Sequence, residues 1–252
     1  MIMLTRLNKN NLFNKWKRSL GLFLLALSPL VITSCLDDDD TEYYDGPLAY
    51  VSFYHGSPET GAVTIYADGV SKPPYSTYDF KYTDYFNYAN FYTGDRTLSF
   101  KNRNANNSLL DTAVTLEENQ AYSFFFIDGE ESDMGIVQAE DDWDSPEEGK
   151  ALVRLVNLSP DAPELSLFIN DSDTPLFQDQ AFKEVTDFSE IDADFTTFTV
   201  EGVGEINLTA EDLDLREQRV YTVIVRGYVN PDSGSTSEKD LSIQVIRNYP
   251  NY

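Results

Sequence analysis

A histidine, a serine and an acid fall within five residues of one another at His55-Gly56-Ser57-Pro58-Glu59. In the right geometry these residue types supply a base, a nucleophile and an orienting carboxylate. Two features argue against that use. His55 is the only histidine of the chain, and metal sites built on imidazole usually take two or more. Ser57 does not sit in a Gly-x-Ser-x-Gly elbow. The stretch also occurs a second time, as Asn157-Leu158-Ser159-Pro160-Asp161, with Asn157 where the first copy has His55. An amide can hydrogen-bond in that place but cannot carry a proton near neutral pH. The pattern predicts that His55, Ser57, Pro58, Asn157, Ser159, Pro160 and Asp161 build a turn. The serine closes it by side-chain-to-backbone bonding, and no catalytic residue or cofactor is expected.

The second chemically distinctive residue is the single cysteine, Cys35. Five of the 18 basic residues lie ahead of it, without one acid, and an apolar run from Leu20 to Ile32 follows them. That run has the length of a signal-peptide core rather than a membrane span. Ile32-Thr33-Ser34-Cys35 then resembles a bacterial lipobox. The resemblance implies a leader over 1–34, cleavage before Cys35, and acylation of that cysteine by more than one chain, as stable anchoring requires. Leu36 after the cysteine implies an outer-membrane address, with the periplasmic or surface face open. Residues 35–47 form an acidic tether, in which Asp37 to Asp40 repel one another and hold the chain extended. A lone cysteine at the cleavage point leaves no disulfide, so the folded part must hold by packing.

Positioning the two Ser-Pro turns requires strands on either side of each. Val51 and Phe53 alternate with Ser52 and Tyr54, and Val153 and Leu155 with Arg154 and Val156. The alternation predicts half-buried strands, with the second member of each pair facing out. Val63, Ile65 and Ala67 after the first turn correspond to Leu165, Leu167 and Ile169 after the second, and Asp68-Gly69 and Asn170-Asp171 end these strands. The copies align at an offset of 102, which carries Phe80-Lys81 onto Phe182-Lys183. Further on, Thr97 to Phe100 matches Thr197 to Val200, and Val114 to Tyr122 matches Leu213 to Tyr221. Two units of about 100 residues with about seven strands each predict an all-β chain of two tandem immunoglobulin-like β-sandwich domains. Their expected bounds are 48–139 and 150–252. The acidic stretch 140–149, holding Asp141, Asp142, Trp143 and Pro146, reads as a linker of solvated charge, with Trp143 finding an apolar surface.

A short strand, His/Asn-x-Ser-Pro-Asp/Glu, a second strand ending in Asp-Gly, and a later Leu-Glu-x-x-x-x-Tyr opening another strand resemble the bacterial domain-of-unknown-function 4397 family. The resemblance spans nearly the whole chain after the tether, as two copies. The first copy departs from the family pattern after Pro58, and the second at Asn157. The resemblance implies an extracytoplasmic β-sandwich and no particular reaction.

A net charge of −25 repels nucleic acid and anionic lipid headgroups, so the expected partners are the membrane, through the anchor, and a protein or glycan ligand. The acids could attract Ca²⁺, but they match no calcium-loop pattern. Asp171 and Asp173, alternating at a turn, are the closest approach to one. Between Pro73 and Thr93 the chain carries nine aromatic residues. Phe80 and Tyr82 alternate as core residues. Tyr75, Tyr78, Tyr88 and Tyr92 are the candidates for a recognition surface, because a tyrosine ring stacks while its hydroxyl stays wet. Tyr78, Tyr82 and Tyr88 face Gln180, Glu184 and Glu190 of the second copy at the offset of 102. A hydrolase built on paired carboxylates is a further reading, which abundant acids do not discriminate. The leading expectation is a non-enzymatic outer-membrane lipoprotein serving binding, adhesion or envelope assembly.

Overall fold

Period-two patterning yields strands throughout the computed structural model, which describes residues 46–71, 79–102, 105, 107–128, 134–142, 145–232 and 236–248. The leader, Cys35, nearly all of the tether, Tyr75, Tyr78 and Trp143 lie outside the described residues. The first half comprises β1 (Leu48–His55), β2 (Val63–Ala67), β3 (Val70–Ser71), β4 (Tyr85–Tyr92), β5 (Gly94–Asn102), β6 (Ser108–Leu116), β7 (Ala121–Asp128) and β8 (Met134–Glu140). The second comprises β9 (Lys150–Asn157), β10 (Leu165–Ile169), β11 (Phe177–Gln180), β12 (Ser189–Asp192), β13 (Phe195–Gly202), β14 (Ile206–Asp214), β15 (Val220–Arg226) and β16 (Ser242–Asn248). Each half is thus a sandwich of two four-stranded sheets, ordered β4-β1-β7-β8 over β3-β2-β5-β6 and β12-β9-β15-β16 over β11-β10-β13-β14. Eight strands stand in each half where the sequence pattern predicts about seven. Among the described residues no helix is long and apolar enough to cross a membrane.

Within each sandwich the alternating faces behave as the pattern requires. Val51, Phe53, Val63, Ile65, Phe100 and Phe124 fill the first core, and Val153, Leu155, Leu165, Leu167, Val200 and Val223 the second. The opposite faces of the inner sheets do not meet water. Tyr54, Phe125, Ile127 and Val137 pack against Val156, Leu158, Ile224 and Ile246 in a third core that joins the halves. The residues from Gly46 onward therefore form one compact unit, stacked four sheets deep. This corrects the expectation for Ser52, Tyr54, Arg154 and Val156, which are buried rather than outward-facing. The parallel central pairs β1–β7 and β9–β15 are covered on both sides, as parallel strands generally are.

The two sandwiches share the same strand order and several of the same bonds, and the correspondence resets one alignment. Val63 pairs with Phe80, whereas its counterpart Leu165 pairs with Gln180. Thr83 N–H donates to His55 O at 2.8 Å, as Lys183 N–H does to Asn157 O, and both Thr83 and Lys183 take a positive φ. The offset has therefore dropped to 100 before Phe80. Phe80 is core, but its counterpart is Gln180, and Phe182 is the counterpart of Tyr82. Ala89 lies opposite Val51 and Ser189 opposite Val153, so Tyr88 corresponds to Phe188. Two of the tyrosines that looked unmatched have aromatic partners after all.

A further repeated device explains the Leu-Glu-x-x-x-x-Tyr pattern. Tyr122 Oη accepts the N–H of Glu117 at 3.1 Å, and Tyr221 Oη accepts that of Arg216 at 2.9 Å. Each tyrosine, near the start of an inner strand, ties down the preceding turn, the arrangement known as a tyrosine corner.

Candidate functional site

The Ser-Pro turn places its chemistry at the mouth of the first sandwich, where β1 ends against β7. His55 and Ser57 are fully buried. The His55 Nδ1 accepts the N–H of Ser57 at 3.3 Å, and Nε2 lies 3.3 Å from the carbonyl of Gly61, which makes Nε2 the protonated nitrogen. The ring lies against Phe80 and Phe126 at 5.2 and 5.1 Å. Burial pushes its pKa down to about 4, so the imidazole is neutral. The Ser57 hydroxyl turns away from it, to Asp128 Oδ1 and to Thr60 Oγ1. Asp128 also accepts the N–H of Glu59 at 3.0 Å and the hydroxyl of Tyr228 at 2.9 Å. Burial, reinforced by the Asp128 charge, holds the Tyr228 phenol well above its usual range, so it stays a donor. A serine, a histidine and an aspartate meet here, but no hydrogen bond joins Ser57 Oγ to the imidazole, as nucleophilic catalysis requires.

The second copy holds its serine N–H in the same way without an imidazole, but its serine hydroxyl and its amide have other partners. Asn157 Oδ1 accepts the N–H of Ser159 at 3.1 Å, and Asn157 Nδ2 donates to the carbonyl of Gln180 at 3.1 Å. Asp161 receives the Ser159 hydroxyl at 3.4 Å and the N–H groups of Val229 and Asn230 at 2.8 and 2.9 Å. In both turns the serine hydroxyl bonds side chains rather than the backbone expected from the pattern, and it is the side chain of His55 or Asn157 that binds the backbone N–H of the serine.

The recognition tyrosines fare differently. Tyr88 is buried, and its hydroxyl enters a polar network between the sandwiches. Tyr88 Oη donates to Asp141 Oδ2 at 2.6 Å and accepts from Asn248 Nδ2 at 3.1 Å. Burial, with the Asp141 charge beside it, holds the phenol far above its ordinary range. It can present no ring to a ligand at the surface, which corrects that expectation. Tyr92 is 41% exposed. Asp141, expected as solvated linker charge, is buried and paired with Arg154 at 2.5 Å. Arg154 Nη2 and Nε donate to Ser123 Oγ and Thr222 Oγ1 at 2.9 and 3.0 Å, and Thr222 Oγ1 donates to Asn248 Oδ1 at 2.8 Å. The guanidinium lies over the Phe188 ring at 4.5 Å. Every buried side-chain polar atom of the described residues has a partner, the condition for a buried ion pair to be tolerated. Asp171 and Asp173 are exposed, and among the described residues no three His, Cys, Asp or Glu side chains gather to hold a metal ion.

One open cleft adjoins the first Ser-Pro turn. It has a volume of about 480 Å³ and is walled by Thr60 to Ala62 and Lys81 to Thr83 from the first sandwich, with Arg226 and Glu238 from the second. Arg226 Nε donates to Gln244 Oε1 at 3.0 Å and Nη1 to Tyr82 Oη at 3.1 Å, with the guanidinium over the Tyr82 ring at 5.1 Å. The charge beside it favours the Tyr82 phenolate, yet burial outweighs this and raises the pKa. No signal in the pattern pointed to Arg226, because the cleft exists only where the halves meet.

A family model described as "Domain of unknown function (DUF4397)" matches residues 49–168, from β1 through nearly all of β10. No curated protein matches the chain. Among solved structures, similarity is found to a family 26 carbohydrate-binding module of Eubacterium rectale Amy13K in complex with maltoheptaose, at 11% identity and a TM-score of 0.26. That match covers 80% of this chain and 98% of the other. A family 41 carbohydrate-binding module from streptococcal virulence factors, described under alpha-glucan recognition, shows 13% identity and a TM-score of 0.22, covering 77% and 96%. A DUF3823 family protein of Bacteroides ovatus shows 11% identity and a TM-score of 0.20, covering 66% and 97%. Likeness at this level carries no functional argument.

Proposed function

We propose that this chain is a non-enzymatic lipoprotein of the outer membrane, acylated at Cys35 and carrying two copies of the matched domain as a rigid paired binding module. The first domain takes 48–139 and the second 150–252, with 140–149 as the joint. The observation that carries the non-enzymatic part is the direction of Ser57 Oγ, which bonds Asp128 and Thr60 while both nitrogens of His55 are committed to backbone. Recurrence of the serine N–H bond at Asn157 supports a structural role for both turns, and the matching strand orders support two copies. The anchor rests on Ile32-Thr33-Ser34-Cys35 and the basic, then apolar, stretch ahead of it.

The test is metabolic labelling with an alkyne palmitate, together with fractionation of outer membranes, for the natural chain and for Cys35→Ser. The natural chain should take up label and sediment with outer membranes, and Cys35→Ser should lose both properties. A Cys35→Ser chain that still fractionates with outer membranes would rule out lipid anchoring there. Protease added to intact cells then assigns the membrane face.

A further inference from the structure

We propose that the cleft between the Ser-Pro turn of the first sandwich and the end of β15 binds a small hydroxylated carboxylate, of the class of the sugar acids. The site belongs to the binding module proposed above, but it does not depend on how the chain is anchored.

The argument begins with Arg226. It is half-buried at the seam of the two sandwiches, where a charge is costly unless compensated. Its partners there, Gln244 and Tyr82, are neutral, and among the described residues no carboxylate stands in ion-pair contact with it. Two of its three nitrogens are used, and stacking on Tyr82 fixes the plane of the guanidinium. Among the described residues the third nitrogen has no hydrogen-bond partner, and the side chain lines the cleft. A fixed guanidinium with one nitrogen still to be bonded offers a carboxylate a charge-assisted hydrogen bond.

The rest of the wall narrows the class. Lys81 adds a second cation at the rim, its ammonium exposed and only 3.9 Å from Asp79. The nearby acid Glu59 is already engaged by Lys239 at 2.8 Å, and Asp128 already accepts three hydrogen bonds. Among the described residues Glu238 is the one carboxylate lining the cleft, and it offers an acceptor for hydroxyl groups. Gly61, also in the wall, has open space beside it. The volume suits a molecule of one or two sugar rings. Two cations, one from each sandwich, beside a single acceptor select a ligand that carries both a carboxylate and hydroxyls.

The test is isothermal titration of the full chain in detergent micelles with D-glucuronate, D-glucose and inorganic phosphate. Glucuronate should saturate one site at least about tenfold more tightly than glucose or phosphate, the scale of one charge-assisted contact. Arg226→Gln should weaken it by about tenfold, and Lys81→Gln by a few-fold. Equal binding of glucose would make the site a neutral one, and equal binding of phosphate a general anion site. Either result overturns the proposal, as does the absence of saturation by glucuronate. If Arg226→Gln fails to fold, Lys81→Gln decides, because its side chain is exposed, and unchanged affinity in that variant overturns the assignment. Because the titration is done in detergent, its outcome is separate from that of the Cys35 experiment.

Discussion

His55 and Asn157 hold the same post in the two sandwiches, each accepting the N–H of the serine two residues on and each engaging a backbone carbonyl with its remaining polar side-chain atom. One of the two can titrate and the other cannot. The folded-state pKa of His55 is lowered to about 4, below its ordinary 6.5, because burial disfavours the charged ring. The unfolded chain therefore binds the proton first as pH falls. The stability that His55 contributes is complete above about pH 6.5 and is lost as pH falls toward 4. The difference corresponds to about 3 kcal/mol. His55→Asn should keep the fold, with stability at pH 7 changed by about 1 kcal/mol or less, and should lose less stability between pH 7 and pH 4 than the natural chain. Urea titrations at the two pH values check this. Equal acid sensitivity of both chains would contradict it.

The pair Asp141–Arg154 should behave as a buried ion pair. Arg154→Met leaves a carboxylate without its cation inside the protein and should cost about 3–5 kcal/mol. The double change Asp141→Leu with Arg154→Met should cost clearly less than the sum of the two single changes. A double-mutant cycle in denaturant measures the coupling, and strict additivity would show that the two charges do not depend on each other.

The two tyrosine corners offer a paired comparison. Tyr122→Phe and Tyr221→Phe each remove one bond, to the N–H of Glu117 and of Arg216. Each should cost about 1 kcal/mol by thermal or urea unfolding, and together about the sum, since the corners lie in different sandwiches. A loss well beyond that sum would mean that the corners are coupled through the shared core.

Gly56 meets Leu158 across the seam, and a β-carbon on Gly56 would stand 2.8 Å from the Leu158 Cδ1. Leu158→Ala should cost about 2–4 kcal/mol, and Gly56→Leu about 1–3 kcal/mol through overpacking. Combining Gly56→Leu with Leu158→Gly should recover part of the loss, because the two positions are counterparts. Denaturation midpoints of the three variants decide it; a combined loss as large as the sum would deny that the seam can be refilled from the other side.

Strand period and an all-β fold of two sandwiches are legible in the residues, because alternation is local. The seam is not. Ser52, Tyr54 and Arg154 break the apolar pattern as outward-facing residues do, and only a partner sheet makes those positions interior. Phe124 to Ile127 and Val223 to Val225 did carry a signal, since an unbroken apolar run marks a strand covered on both faces. Tyr88 was misjudged for a different reason. A two-residue deletion before Phe80 moved its counterpart from Glu190 to Phe188, and the tyrosine then looked unmatched. The Arg226 cleft has parts from positions more than 140 residues apart, and no short-range pattern could assemble it.

The seam has a further consequence for which molecules can occupy it. Arg154 corresponds to Ser52, Leu158 to Gly56, and Asn248 occupies in the second sandwich the place that Asp141 has in the first. Two first sandwiches placed face to face would bury two Asp141 carboxylates with no guanidinium and oppose glycine to glycine, leaving a void. Two second sandwiches would bury two Arg154 side chains with no carboxylate and drive leucine into leucine. Only the mixed pairing neutralises charge and fills space. The two halves are complements of each other, so each chain saturates its own sticky face, and neighbouring chains are discouraged from exchanging halves.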